Sequence, residues 1–136
     1  MTDAVTSLIV NKKGELLILK RSEKVRTYNG FWAGVSGYIE KDEEPYDTAI
    51  KEIREEVGLD KKDITFIKKH GPVEIRDIHR EKKYNWRIFI FVFKTEKNDK
   101  INIDWEHSEY RWIAPTEIGK YETVPHLKEV VEKLLM

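Results

Sequence analysis

Glu52, Glu55 and Glu56 are the residues whose type and spacing promise chemistry. Each step along an α-helix turns by about 100°, so the three carboxylates fall within an arc of roughly 100° on one side. Carboxylates gathered this closely repel one another and titrate as a coupled set, which is unfavourable unless something positive sits among them. A hard divalent cation meets that need. All-oxygen ligation selects Mg²⁺, with Mn²⁺ as a substitute, and Mg²⁺ leaves places for waters and for phosphate oxygens of a substrate. Such an ion neutralises phosphoryl oxygens and makes hydroxide available near neutral pH, the chemistry needed to hydrolyse a phosphoanhydride. A glutamate beside the bound water can accept its proton. Glu52 is the first choice for that base, and Glu106 and Glu109 in a later loop are the alternatives. The plain alternative to all of this is a solvated acidic face in which Lys51 pairs with Glu55 one turn along.

The element that must carry these acids runs from Pro45 to Val57. Pro45 suits a first turn, Glu43, Glu44 and Asp47 are acids at the N-terminal end, and Gly58 is a ready stop. Tyr46, Ala49, Ile50, Ile53 and Val57 form a neighbouring apolar arc, while Asp47, Lys51 and Arg54 point the other way. Before the helix, Val5–Asn11 and Leu16–Lys20 flank a Lys12-Lys13-Gly14-Glu15 turn and predict a β-hairpin. A polar loop, Arg21–Gly30, leads to an extended stretch over Phe31–Ile39. After the helix, Ile64–Phe66, Val73–Ile78, Trp86–Phe93 and Tyr110–Ala114 read as strands or strand fragments, with Phe89, Phe91 and Phe93 on one face. Pro115-Thr116 starts a short helical turn, and His126–Leu135 is an amphipathic helix. Hairpins mixed with helices predict an α/β (α+β) domain in which a mixed sheet is covered by helices.

A wider spacing overturns the solvated-face alternative. Gly37, five residues, Glu43, seven residues, then Lys51-Glu52-Ile53-Arg54-Glu55-Glu56-Val57-Gly58-Leu59 resembles the signature box of the Nudix hydrolase family (MutT-like), with Lys51 where the box has arginine. Gly30-Phe31-Trp32 with Ser36-Gly37, and Glu106 to Ile113, resemble flanking segments of the same family. The resemblance implies an α/β/α sandwich and hydrolysis of a nucleoside diphosphate linked to another moiety. It implies Glu52, Glu55 and Glu56 as metal ligands, joined by the backbone carbonyl of Ser36. Gly37, Glu43, Lys51 and Gly58 are then supporting box residues, Glu43 being either an acid near the metal or the partner of Lys51. An ammonium cannot copy the two parallel hydrogen bonds of a guanidinium, so Lys51 is expected to position Glu43 less firmly. Ser36 stands where glycine is frequent, which would strain a backbone with positive φ.

Length and composition bound the rest. The 136 residues suit one domain, residues 1–136, and carry 25 basic against 25 acidic groups, so no global field recruits a nucleic-acid duplex or an anionic membrane. The absence of cysteine excludes thiolate chemistry and the isomerase branch of the family that relies on it. No secretory pattern or membrane-length apolar run is present, and a cytoplasmic protein is expected. The leading reading is a nucleoside triphosphate pyrophosphohydrolase. ADP-ribose and dinucleoside polyphosphates are alternative substrates, and a nucleotide-sensing module without catalysis is the alternative of another class. Arg21 with Lys20 could hold phosphates, and Tyr28, Trp32 and Trp86 could stack on a base. Trp32 and Trp112 also fit a core, and His79, Arg80 and His107 read as loop residues. A homodimer is left open.

Overall fold

A computed structural model describes all residues, Met1–Met136. Seven strands form one mixed sheet: β1 (Thr2–Val10), β2 (Leu16–Arg21), β3 (Trp32–Ala33), β4 (Val35–Tyr38), β5 (Ile64–His79), β6 (Lys82–Thr95) and β7 (His107–Ile113). Two helices, α1 (Pro45–Val57) and α2 (Leu127–Leu135), cover it. The sheet is mixed because β1 runs parallel to β6, from Thr2↔Trp86 to Val10↔Lys94, and antiparallel to β4, from Ala4↔Tyr38 to Ser7↔Val35. The expected first hairpin exists, but β1 and β2 pair only at Val10↔Leu16 beside their turn. Asn11 closes that turn by accepting the amides of Lys13 and Glu15 at 3.0 and 2.9 Å. Beyond it β2 diverges to join β3 and β7, and the gap left beside β1 admits β4.

Alternation along the central strands sorts two cores onto the two faces. Val5, Ile9, Leu17, Leu19, Phe91 and Phe93 meet Ala49, Ile53 and Val57 of α1. Leu8, Leu16, Ile18, Ile90 and Val92 meet Leu127, Val130 and Val131 of α2. A fully buried side chain of this size stabilises by about 1.5–3 kcal/mol, so each helix is held mainly by its apolar stripe. The result is the expected α/β/α sandwich, and no helix is long and apolar enough to cross a membrane.

Helix α1 starts and stops where its sequence signals fall. Pro45 occupies the first turn, and Gly58 ends the helix at φ 77°, its amide donating to the Arg54 carbonyl at 3.1 Å. Two expectations need correction. Ile64–Phe66 and Val73–Ile78 are parts of one strand, β5, whose register against β6 shifts between Phe66 and Lys68 and between His70 and Val73. His79 is the last residue of that strand and His107 the first of β7, neither being a loop residue, while Arg80 and Glu81 make the tight turn into β6 with φ of 52° and 68°.

Candidate active site

The candidate site lies where β4, α1 and the loop before β7 converge. Strand β4 delivers Ser36 and Gly37 against the acidic face of α1. A methyl group on Gly37 would stand 2.4 Å from the Glu52 carboxyl carbon, so only glycine lets that side chain lie across the strand. Ser36 has no positive φ; it sits in the extended backbone of β4, and the strain expected of a non-glycine there is absent. Its amide donates to Glu56 Oε1 at 3.4 Å, and its hydroxyl lies 3.2 Å from Thr6 Oγ1.

The three glutamates differ sharply in setting. Glu55 is exposed, Glu52 half-buried, and Glu56 only 3% exposed. Burial pushes the Glu56 carboxyl well above the usual carboxylate range, and contact with Glu52 adds to the push. Burial raises Glu52 as well. Segment 102–107 seals this end, because Asn102 and Asp104 donate their amides to the Val57 and Glu56 carbonyls at 2.9 and 3.2 Å. It brings His107, whose Nε2 lies 3.7 Å from Glu56 and whose Nδ1 lies 2.8 Å from Asp104. Burial lowers the His107 pKa against the pull of Asp104, so this ring is a poor source of positive charge for Glu56.

Lys51 does not point away from the acids, nor does it pair with Glu55. Its Nζ binds Glu43 Oε2 at 2.7 Å and reaches to 4.0 Å from Glu52. Glu43 is thus the lysine's partner, and it is further held by the Glu40 amide and the Thr48 hydroxyl, each at 3.0 Å. Those two contacts hold Glu43 Oε1 while the ammonium holds Oε2.

A cavity of about 390 Å³ opens over this face. Ser36, Gly37, Glu52 and Glu55 line one part of it, Arg21 and Glu106 are also exposed to it, and Tyr28, Ile75, Trp86 and Ile88 supply an apolar wall. Trp32 is outside the lining; it is buried in the α2-side core with Arg111 over its ring at 5.1 Å. Glu109 is outside too, paired with Arg111 at 2.8 Å, the register shift between Lys20 and Arg21 separating its direction from that of His107. Lys20 is likewise outside the lining, and Trp112 is partly buried against the α1-side core. Sequence reasoning missed the contribution of Val124, Pro125 and His126, which close the cavity from the segment leading into α2; nothing in that segment marks it, because the contact is made only once the helix packs.

The family model of the NUDIX domain matches residues 1–134. The chain belongs to the Nudix family of hydrolases. It is 26% identical over 121 residues to nucleoside triphosphatase NudI of Escherichia fergusonii, covering 84% of this chain and 83% of that protein. It is 24% identical over 123 residues to the asymmetrical bis(5′-nucleosyl)-tetraphosphatase of Mus musculus, covering 90% and 80%. Among solved structures, a C. elegans Ap4A hydrolase binary complex superposes with a TM-score of 0.78 at 18% identity, covering 98% of this chain and 94% of that one.

The Nudix box residues offer a donor set that suits a hard divalent cation. The ion pairs of the chain touch the cluster only through Lys51 and His107, leaving the buried Glu56 and its neighbours short of positive charge. The side chains are not drawn together tightly enough for any three to enclose an ion. Glu55, on the solvent side, has the rotameric freedom to swing inward.

Proposed function

We propose that this Nudix hydrolase binds Mg²⁺ through Glu52, Glu55, Glu56 and the Ser36 carbonyl and hydrolyses a nucleoside triphosphate to the monophosphate and pyrophosphate. The observation that carries the reading is one cavity lined both by the box carboxylates Glu52 and Glu55 and by the apolar, partly aromatic set Tyr28, Ile75, Trp86 and Ile88, matched to a polyphosphate joined to a base. The nucleoside triphosphatase relative supports the same substrate class. Bound Mg²⁺ would neutralise phosphoryl oxygens and lower the pKa of a coordinated water.

The chain's residues do the rest. Arg21 grips the phosphates. Glu52 accepts the proton as the water oxygen bonds to the α-phosphorus, and the bond to the bridging oxygen breaks with its electrons staying on departing pyrophosphate. Glu106 shares the cavity, its pKa raised by burial and the nearby Asp104, and is the alternative acceptor. A dinucleoside polyphosphate is the second reading, favoured by Tyr38, which lines the cavity yet is 56% exposed and could stack on a second base.

The test is a nucleotide panel with Mg²⁺ that resolves phosphate, pyrophosphate and nucleoside monophosphate. Release of pyrophosphate from triphosphates is expected, and Glu55→Gln should cut turnover by about 10²-fold or more with unchanged circular dichroism. Nucleotide binding without any product would favour the sensing module, and unaltered rates in the variant would remove the site assignment.

A further inference from the structure

Tyr28 contributes its ring to the cavity wall, yet no step above uses its backbone conformation or its hydroxyl. It holds φ 52°, a left-handed conformation that bulky side chains rarely adopt, yet it is only 4% exposed. Its hydroxyl donates to the Asp77 carboxylate of β5. Its ring stacks on His79 with centroids 4.1 Å apart at 22°, and Phe31 meets it edge-on at 5.4 Å. Trp86 of β6 lies 6.1 Å away, and both rings face the cavity. Tyr28 therefore pins the 21–31 loop onto the far end of the β5–β6 hairpin.

The residue before it does something different. Thr27 accepts two hydrogen bonds from the Arg21 guanidinium, from Nε to the backbone carbonyl at 2.9 Å and from Nη2 to the hydroxyl at 3.2 Å. The loop is closed at its base, since the Arg21 amide donates to the Phe31 carbonyl at 2.9 Å and the Gly30 amide to the Arg21 carbonyl at 2.8 Å. Asn29 ties its interior by donating to the Val25 carbonyl at 2.6 Å. Arg21 and Tyr28 both face the cavity, so the same short loop that walls one part of it aims a cation into another.

We infer that Tyr28 is a positioning residue: anchored on Asp77, it holds Thr27 in place and so orients the Arg21 guanidinium toward substrate phosphates, which ties the aromatic wall to the phosphate grip. The inference rests on the nucleotide reading of the cavity. A side chain held at two of its donors has its remaining N–H groups fixed in direction, and a fork fixed before binding recognises phosphate with less ordering to accomplish. The hydroxyl acts at a distance, through Asp77 and Thr27, and touches no substrate itself.

A double-mutant cycle tests it, read by calorimetric affinity for an α,β-methylene nucleoside triphosphate and by KM and kcat for the natural triphosphate. Tyr28→Phe keeps the ring and removes the anchor. Its nucleotide affinity should fall about threefold or more, with KM rising and kcat little changed, and in an Arg21→Ala background the same substitution should cost nothing further. Asp77→Ala, which removes the acceptor, should reproduce the effect, and it serves in place of Tyr28→Phe if that variant fails to fold. Equal losses in both backgrounds would show an additive, merely structural role and overturn the inference, as would full affinity in Tyr28→Phe. Coupling without turnover would sink the hydrolase reading and leave the anchor standing; turnover without coupling would do the reverse.

Discussion

At the scale of single residues, the proposed site depends on an absent side chain as much as on the acids. Gly37 is glycine because the Glu52 carboxyl occupies the space a methyl would fill. Its φ is not in the left-handed region, so an alanine there meets no backbone strain. The atoms it would strike are the end of a flexible side chain rather than backbone, and that end can move. Gly37→Ala should therefore displace Glu52 while costing less than about 1 kcal/mol of stability in a denaturant titration. A carboxylate misplaced by about 1 Å can cost 10²-fold in rate, so kcat should fall steeply in the same protein. Loss of both stability and activity together would mean that Gly37 serves the fold and not the acid. Sequence alone supplied Gly37, Glu52, Glu55 and Glu56 as a spaced set. It could not supply the burial of Glu56, because that depends on segment 102–107 folding back over the helix end, nor the left-handed Tyr28, which nothing in Thr27-Tyr28-Asn29-Gly30 announces beyond its glycine.

At the scale of elements, α1 was legible to the residue and β5 was not. The difference is physical. Helix α1 has local signals at both ends, a proline in the first turn and a glycine at φ 77°, and an apolar arc between them. Strand β5 lies at the sheet edge, where only β6 pairs with it, and it carries Lys68, Lys69 and His70 and then Gly71-Pro72 in its middle. Exposure removes the alternation by which a strand is read, and pairing with β6 restores the strand in three dimensions. Lys51 was misplaced for a related reason: helical angles give the direction of Cβ, while a long side chain follows its partner, here Glu43 across the helix start. Gly58 gives the element-scale prediction. An added Cβ would face both the left-handed backbone and the Asn102 Cβ at 3.3 Å. Gly58→Ala should lower stability by about 1–2 kcal/mol in denaturant unfolding. Because the Asn102 amide bonds to the helix end, the variant should also weaken the proposed Mn²⁺ binding at Glu56 two residues away, read by calorimetry. A stable variant with unaltered metal affinity would mean that the helix end and the acids are independent.

At the scale of the whole molecule, charge is balanced but not evenly deployed, and two classes of carboxylate pull stability in opposite directions with pH. Glu52, Glu56 and Glu106 are raised by burial in the site. Away from it, Asp63 is held below the usual carboxylate range by its hydrogen bond to Lys100 and then by the Asp60 amide, and Asp3 is held low by Arg87. A carboxylate whose pKa is lower folded than unfolded contributes stability that is complete above the unfolded value and is lost as pH falls through the folded one. For Asp63 the loss must therefore begin near the ordinary aspartate value of about 4 and grow below it. Asp63 closes the capped turn that leads α1 into β5, its carboxylate also accepting the Asp60 amide at 2.8 Å, so protonation loosens the junction of a helix and an edge strand. Asp63→Asn should lower the melting temperature at pH 7 and progressively less at pH 3, where the wild-type group is itself being neutralised. Lys100→Met should flatten the acid limb in the same sense, since it removes the main cause of the shift. The raised site carboxylates cannot mimic this pattern, because their contribution is complete below the unfolded value and is lost as pH rises, so their substitution alters the neutral end of the profile. A melting-temperature difference for Asp63→Asn that stays constant from pH 7 to pH 3 would place the value of that residue in its packing and hydrogen-bond geometry rather than in its charge.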